Sequence, residues 1–320
     1  PTPPRTKPQF QPTFLRMLSK PLLRPASPRL PPGVPQAPPH FEPIVPFAFG
    51  VIGLGRMAQA LVIPLIEQGL IPAGEVIAVV GRQDTVATVT ARVPSDVKVV
   101  AASDPAAQEA WGASIQLLAV KPQMLDAVAA SAPPATATPA PGSSLLISVL
   151  AGVPLARLQK LFPGRICVRA VPNTPCLVGQ GLTGLAWGNG ISDQQKQQVR
   201  SFFEPVSEVL ELPEERLDAF LALTSSGPAY VALIAEAMAD GAVAVGMPRA
   251  QAHHLAHRTL AGTAALLQEQ ELHPGELKDM VASPGGTTMA ALRHLEKAGL
   301  RSALIEAVVA ATQHGRGMAK

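Results

Sequence analysis

Two short stretches carry residue types and spacings that can do chemistry. Ser283-Pro284-Gly285-Gly286-Thr287-Thr288 opens an apolar-periodic segment. Two glycines beside small hydroxyl residues leave bare backbone N–H groups at the positive end of a helix, a seat sized for a carboxylate, and Thr288 is placed to offer its hydroxyl to a neighbouring atom. The same residues would equally serve an ordinary helix start with a Ser or Thr cap, and local physics does not choose between the two. Far upstream stands Phe49-Gly50-Val51-Ile52-Gly53-Leu54-Gly55-Arg56-Met57-Ala58. An apolar strand, a Gly-x-Gly-x-x-Ala turn and a segment apolar at helical spacing form the dinucleotide-binding arrangement. Gly53 permits the turn, Gly55 lets backbone approach a pyrophosphate, and Ala58 lets the helix lie close on the strand. The helix start then offers free N–H groups and partial positive charge to phosphates. Pro64 sits inside that helix, so a kink or an exposed placement of the proline is expected.

Elements that could position these groups follow in order. Short apolar runs at Phe47–Ile52, Glu75–Val80, Val97–Val100, Ile115–Val120, Leu145–Val149, Ile166–Ala170, Leu182–Trp187 and Val206–Leu210 read as strands separated by helices. This pattern predicts an α/β, Rossmann-type, doubly wound and mostly parallel sheet over residues 47–213. In such a sheet ligands sit beyond the carboxyl ends of the strands. That places Gly53, Leu54, Gly55, Arg56 and Met57, then Gly81 and Arg82, Ala119-Val120-Lys121-Pro122, Ala151 and Asn173 beside one dinucleotide. At the end of the second strand an Arg suits a 2′-phosphate and an acid suits a 2′-hydroxyl. Arg82 comes first, which favours NADPH; Asp84 keeps NADH open.

From residue 214 to 320 strand signals vanish, and helices are expected at Glu214–Leu223, Pro228–Val245, Arg249–Gln270, Pro274–Val281, Thr287–Ala298 and Ser302–Gly315. Ala229 to Met238 is apolar around most of its circumference, which implies burial against a partner subunit in an obligate dimer.

Composition bounds the partners. The 320 residues suffice for two cores; hydrophobic residues make up 47% and aromatics 4%, so Ala, Val and Leu build them. Residues 1–46 hold fifteen of the 34 prolines and six Lys/Arg against the single acid Glu42. They are expected to form a disordered leader, less in keeping with an organellar transit peptide than with a dispensable extension of a cytoplasmic protein. Taking that +5 from the chain's net +3 leaves −2, which argues against a nucleic-acid surface. No membrane span is expected, because Glu236 and Asp240 interrupt the Ala-rich stretch from Pro228. Cys167 and Cys176 match neither a metal spacing nor a redox pair, and His253, His254 and His257 lack a third ligand, so no metal site is expected. Pro-rich residues 131–144 read as a loop insertion.

The order of motifs resembles the pyrroline-5-carboxylate reductases over about residues 49–317. The resemblance rests on Gly50 to Ala58, Ala119-Val120-Lys121-Pro122, Pro172-Asn173-Thr174-Pro175, Ser226-Gly227-Pro228-Ala229-Tyr230, His273-Pro274-Gly275-Glu276-Leu277-Lys278-Asp279 and Ser283 to Thr288. It implies a Rossmann domain followed by an all-α dimerisation domain, and reduction of L-1-pyrroline-5-carboxylate to L-proline by NAD(P)H. Dimers that assemble further, commonly to decamers, are implied as well. By the same resemblance Glu271, Asp279, Ser283, Gly285, Gly286, Thr287 and Thr288 line the substrate pocket, with Thr288 as proton donor to the ring nitrogen. Where the family carries Ser-Gly-Ser-Gly this chain has Thr224-Ser225-Ser226-Gly227, and Met280 stands where some members place Asn. Reduction of a related six-membered imine acid, and a cofactor-binding paralogue without turnover, are the alternatives.

Overall fold

The computed structural model describes residues 48–133 and 144–318, all within one compact unit, Pro43–Lys320. The leader 1–46 and most of the Pro-rich loop lie outside the described residues.

Eight strands form one sheet: β1 (Phe49–Ile52), β2 (Val76–Val80), β3 (Lys98–Ala101), β4 (Ile115–Leu118), β5 (Leu145–Ser148), β6 (Ile166–Val171), β7 (Gly181–Trp187) and β8 (Ser207–Glu211). Their order is β3-β2-β1-β4-β5-β6-β7-β8. The first six run parallel, β7 is antiparallel to β6, and β8 is parallel to β7. The expected strands are all present, displaced at their ends by up to two residues.

The strands lack an apolar/polar alternation because both faces are covered. Val51, Leu117, Ile147 and Val168 face one core, and Ile52, Leu118, Leu146 and Cys167 face the other. The first core is closed by α1 (Arg56–Glu67), through Ala58, Leu61 and Leu65, and by α6 (Asp193–Phe203), whose Phe202 stacks on Phe49 at 5.0 Å. The opposite face takes Trp111 of α3 (Glu109–Gly112), Leu125 of α4 (Leu125–Ser131), and Leu155 and Leu158 of α5 (Leu155–Leu161). A short helix, α2 (Val86–Thr90), follows β2. Helix α1 continues through half-buried Pro64 to Glu67, so the proline neither ends the helix at once nor sits fully in solvent.

After β8 the chain is helical: α7 (Leu217–Thr224), α8 (Gly227–Ala244), α9 (Arg249–Glu269), α10 (Pro274–Val281), α11 (Thr287–Lys297) and α12 (Leu300–Met318). Helix α7 lies on the sheet with Leu217 and Ala222 fully buried. Helices α8 and α9 pair through Ala239, Ala252 and Ala256, α12 packs along α7, and α11 packs on α12. Much of the remaining apolar surface of this region is open in the single chain, including Val231 at 50%, Leu233 at 66% and Ile305 at 55% exposure.

Among the described residues one helical run, Glu214–Ala244, has the length and hydropathy (1.4) of a membrane span. It is not one uniform apolar rod. Its first third packs on the sheet, and its last third carries Glu236 and Asp240, the latter paired to Arg249 at 2.7 Å.

Candidate active site

The glycine turn leaves β1 beside the end of β2. Val79 O accepts from both Gly53 N (3.0 Å) and Leu54 N (3.2 Å), while Ile52 O accepts from Ala119 N (2.8 Å) at the end of β4. The turn is therefore fixed between β2 and β4, at the point where the chain's winding reverses about β1. Gly53 has φ +97°, and a Cβ there would stand 2.8 Å from Val120 Cγ1 and 2.9 Å from the Ala119 carbonyl. Gly55 differs in kind. Its backbone is extended (φ −80°, ψ −173°), and a Cβ on it would meet nothing within 4 Å. Glycine is not required at residue 55 by the protein's own packing; the free space beside it is what a dinucleotide phosphate would occupy. Gly55 is the N-cap of α1 and no side chain caps that end, so the first N–H groups are available to an anion.

The other expected cofactor residues line the same edge of the sheet. Gly81 and Arg82 follow β2, Ala119 to Pro122 follow β4, Ala151 follows β5, and Asn173 follows β6. Gly81 and the loop after β4 are neighbours: a Cβ at Gly81 would lie 4.0 Å from Met124 Cε. Lys121 is exposed on this edge. Arg82 and Asp84, which favour opposite nucleotides, pair with each other at 3.1 Å on the surface. Asn173 corrects one expectation at the side-chain level. Its amide is 4% exposed and turned into the protein, donating from Nδ2 to Thr224 O (3.0 Å) and accepting at Oδ1 from Leu182 N (2.8 Å). Both functions of the amide serve the fold.

The second seat is built by α10, a turn and α11. His273 and Glu276 form a reciprocal cap at the start of α10: His273 Nδ1 accepts from Gly275 N (3.1 Å) and Glu276 Oε2 accepts from His273 N (2.9 Å). Ser283-Pro284-Gly285-Gly286 is a tight turn closed by Gly286 N donating to Ser283 O (3.0 Å), with Gly285 at φ +71° as Pro-Gly at its centre demands. Gly286 is the N-cap of α11, and no side chain caps it. The Ser/Thr cap that the sequence also allows is not made, so the N–H groups of Thr287 and Thr288 have no side-chain cap. A Cβ at Gly286 would crowd Ser283 Oγ at 2.6 Å. Asp279 lies in the last turn of α10, one turn before Ser283.

Glu271 is the only non-glycine residue with positive φ (51°) among the described residues. It follows the end of α9, where glycine is the usual choice. A charged side chain kept in the left-handed region costs about 1–2 kcal/mol and points to a role for that side chain. These residues follow one another along the α9–α11 segment. They remain largely exposed, and neither α10 nor α11 packs extensively on any strand of the sheet.

Sequence reasoning missed a buried ionic node. Arg169 in β6 is 4% exposed and donates from Nη2 to Asp218 Oδ1 (2.6 Å) and from Nη1 to Glu214 Oε1 (3.3 Å). Glu214 Oε1 also accepts from Leu155 N (2.7 Å) at the start of α5. The available signal was a lone arginine in an otherwise apolar strand. The two cysteines are core residues: burial pushes the Cys167 thiol up to about 12, opposed by nearby Arg165, and raises Cys176.

Comparison with known proteins matches this arrangement. Residues 48–152 match the family model described as NADP oxidoreductase coenzyme F420-dependent, and residues 214–318 match that described as pyrroline-5-carboxylate reductase dimerisation. The pyrroline-5-carboxylate reductase of Synechocystis sp. is 44% identical over 272 residues, covering 85% of this chain and 98% of the relative. That of Arabidopsis thaliana is 34% identical, covering 87% and 98%. Among solved structures, a Plasmodium falciparum pyrroline carboxylate reductase with NADP bound superposes with a TM-score of 0.76 at 26% identity, covering 86% of this chain and 98% of that one. The Coxiella burnetii pyrroline-5-carboxylate reductase gives 0.72 at 30% identity, covering 86% and 99%. Sheet, glycine turn and helical arm thus define a Rossmann-fold oxidoreductase with a self-association domain. More narrowly, the chain belongs to the pyrroline-5-carboxylate reductase family.

Proposed function

We propose that this chain reduces L-1-pyrroline-5-carboxylate to L-proline with NADPH, the last step of proline synthesis, with NADH as a weaker donor. The observation that carries the reading is the pair of uncapped helix starts, at Gly55 and Gly286, each preceded by a turn with a glycine at positive φ. One is joined to the switch point of a doubly wound sheet; the other suits a small carboxylate.

The dinucleotide, when bound, supplies a hydride to the imine carbon. The protein's residues do the rest. The N–H groups of Arg56 and Met57, with Gly53, Leu54 and Gly55, hold the pyrophosphate. Gly81 and Arg82 receive the adenosine end, with Arg82 exchanging Asp84 for a 2′-phosphate. Ala119 to Pro122, Ala151 and the backbone at Asn173 border the nicotinamide end. The substrate carboxylate accepts hydrogen bonds from the N–H groups of Thr287 and Thr288, with Ser283, Gly285 and Gly286 shaping the turn and Glu271 and Asp279 bordering the ring. As the imine π electrons move onto nitrogen, Thr288 Oγ1 supports the proton there. A cyclic imine already protonated in solution needs little further acid, so positioning in a dry cleft supplies most of the rate. That is consistent with a site lacking a strong acid–base pair.

The division of labour falls near residue 213: the cofactor on 47–213, the substrate seat and self-association on 214–320. The exposed apolar faces of α8, α9 and α12 are covered by a second copy, giving a cytoplasmic homodimer able to assemble further, as far as a decamer. Purified protein given the imine should oxidise NADPH and release an equal amount of proline; a well-folded assembly that does neither overturns the reading. A second reading, the six-membered imine acid, is favoured by Met280, 54% exposed at the end of α10. The ratio of kcat/KM for the two rings decides it.

A further inference from the structure

Helix α5 begins at the cofactor edge without a cap of its own. The loop that leads into it, residues 149–154, leaves β5 with Val149 N donating to Leu118 O (3.0 Å). It turns at Ala151 and at Gly152, whose φ is +69°, and reaches Pro154 at the N-cap position. Leu150 and Val153 are buried on either side of half-buried Ala151, so the loop is anchored at both shoulders. Proline offers no side-chain acceptor, and α5 carries no acid in its first turn. The first N–H of the helix, on buried Leu155, donates instead to Glu214 Oε1 at 2.7 Å, 59 residues downstream.

Glu214 is held in place from its other side. Arg169 Nη1 donates to the same Oε1 (3.3 Å), and Arg169 Nη2 donates to Asp218 Oδ1 (2.6 Å) in the first turn of α7. Arg169 Nε is buried and has no partner among the described residues, so the two carboxylates hold the guanidinium. Glu214 itself opens the short turn Glu214–Arg216 between β8 and α7. One carboxylate oxygen thus joins the start of α5 to β6, and the exit of the β5–α5 loop depends on a residue from elsewhere in the fold.

We propose that Glu214 is a positioning residue for the nicotinamide end of the cofactor: by capping α5 it fixes the exit of loop 149–154, and with it Ala151 at the sheet edge. This inference rests on the proposed placement of Ala151 beside the nicotinamide. Glu214 touches neither cofactor nor substrate; it acts through α5, and Arg169 and Asp218 keep its carboxylate aimed. The phosphates and adenosine are held elsewhere, by the glycine turn and the end of β2. A shift of loop 149–154 therefore tilts the nicotinamide without loosening the nucleotide, and misplacing a reacting group by a fraction of an ångström lowers the chemical step.

The test uses the full chain with Glu214→Gln and Glu214→Ala, or Glu214→Leu should the smaller residue not fold. All three take a charge from Arg169 and should melt below wild type. Only Gln keeps an oxygen for Leu155 N. Amide exchange over residues 149–158 without nucleotide, followed by mass spectrometry, is expected to rise about fivefold in Glu214→Ala, as for loss of an ordinary cap, and to stay near wild type in Glu214→Gln. With NADPH and the imine, Glu214→Ala is expected to lower kcat about tenfold with the NADPH Kd within about threefold, and Glu214→Gln to restore kcat despite its lower Tm. Wild-type exchange or wild-type kcat in Glu214→Ala overturns the proposal, as does an equal loss in Glu214→Gln. If the wild type itself fails to turn over the imine, the functional reading fails separately. The fluorescence lifetime of bound NADPH, which reports the nicotinamide's surroundings, then decides: a change in Glu214→Ala but not in Glu214→Gln supports the proposal, and no change in Glu214→Ala overturns it.

Discussion

Gly53 and Gly55 stand two residues apart in one turn, yet their replacement by alanine should fail in different ways. At Gly53, φ +97° costs an L-residue about 1–3 kcal/mol. The new methyl would also press on the Ala119 carbonyl and Val120 Cγ1 at under 3 Å, adding about 1–3 kcal/mol of overpacking. The sum, about 2–6 kcal/mol, should lower Tm by roughly 5–20 °C for a domain of this size. At Gly55 the backbone is extended and the space is open, so the unfolded-state gain of about 0.4–1 kcal/mol roughly offsets the weaker N-cap. Stability should stay within about 1 kcal/mol of wild type. The methyl would instead stand where the pyrophosphate approaches, removing one charged hydrogen bond of about 1.5–3 kcal/mol. That corresponds to a Kd for NADPH raised by about 10- to 100-fold. Thermal melts followed by circular dichroism and NADPH fluorescence titration separate the two. Wild-type affinity in Gly55→Ala, or melting as low as Gly53→Ala, would refute the reasoning.

Thr288→Ala should lower kcat roughly 10- to 100-fold, the modest end for a proton donor, with NADPH affinity intact; an unchanged kcat removes the hydroxyl from the reaction. Glu271→Gly should raise Tm by relieving about 1–2 kcal/mol of left-handed strain while raising KM for the imine, and an unaltered KM would make Glu271 a tolerated oddity of the helix end. Cys167 gives a pH prediction. Burial raises its pKa in the fold from 9.0 to about 12, so its contribution to stability is complete below pH 9 and is lost as pH rises toward 12. Denaturant melts at pH 7 and pH 10.5 should show a larger loss for wild type than for Cys167→Ala; equal losses would contradict it.

Most strands could be placed from sequence because they are short apolar runs serving two cores at once, as Val51 and Ile52 do on opposite faces. The glycine turn was legible for a related reason: only φ +97° at Gly53 and an empty volume at Gly55 reconcile that spacing with a strand, a helix and an anion. The helical arm was visible as helices, and the surplus of apolar surface on α8 was visible as a need for a partner. What sequence could not supply was pairing at a distance. Nothing near Arg169 indicates that Glu214 and Asp218 will meet it, and nothing near Asn173 indicates that Thr224 O will claim its amide. A strand-end asparagine reads as a ligand contact because such ends face the cleft; the fold turned this one inward to fasten α7. Likewise Ser225 looked like a mere departure at a helix junction until its hydroxyl was found on Pro172 O.

The central claim is hydride delivery to a ring carbon seated beside Thr288. NADPH carrying deuterium at one face of nicotinamide C4, incubated with the protein and L-1-pyrroline-5-carboxylate, tests it most directly. The account predicts L-proline with one deuterium at C5 from one of the two labelled epimers and none from the other. Unlabelled proline from both epimers, or oxidation of NADPH without proline, would contradict it.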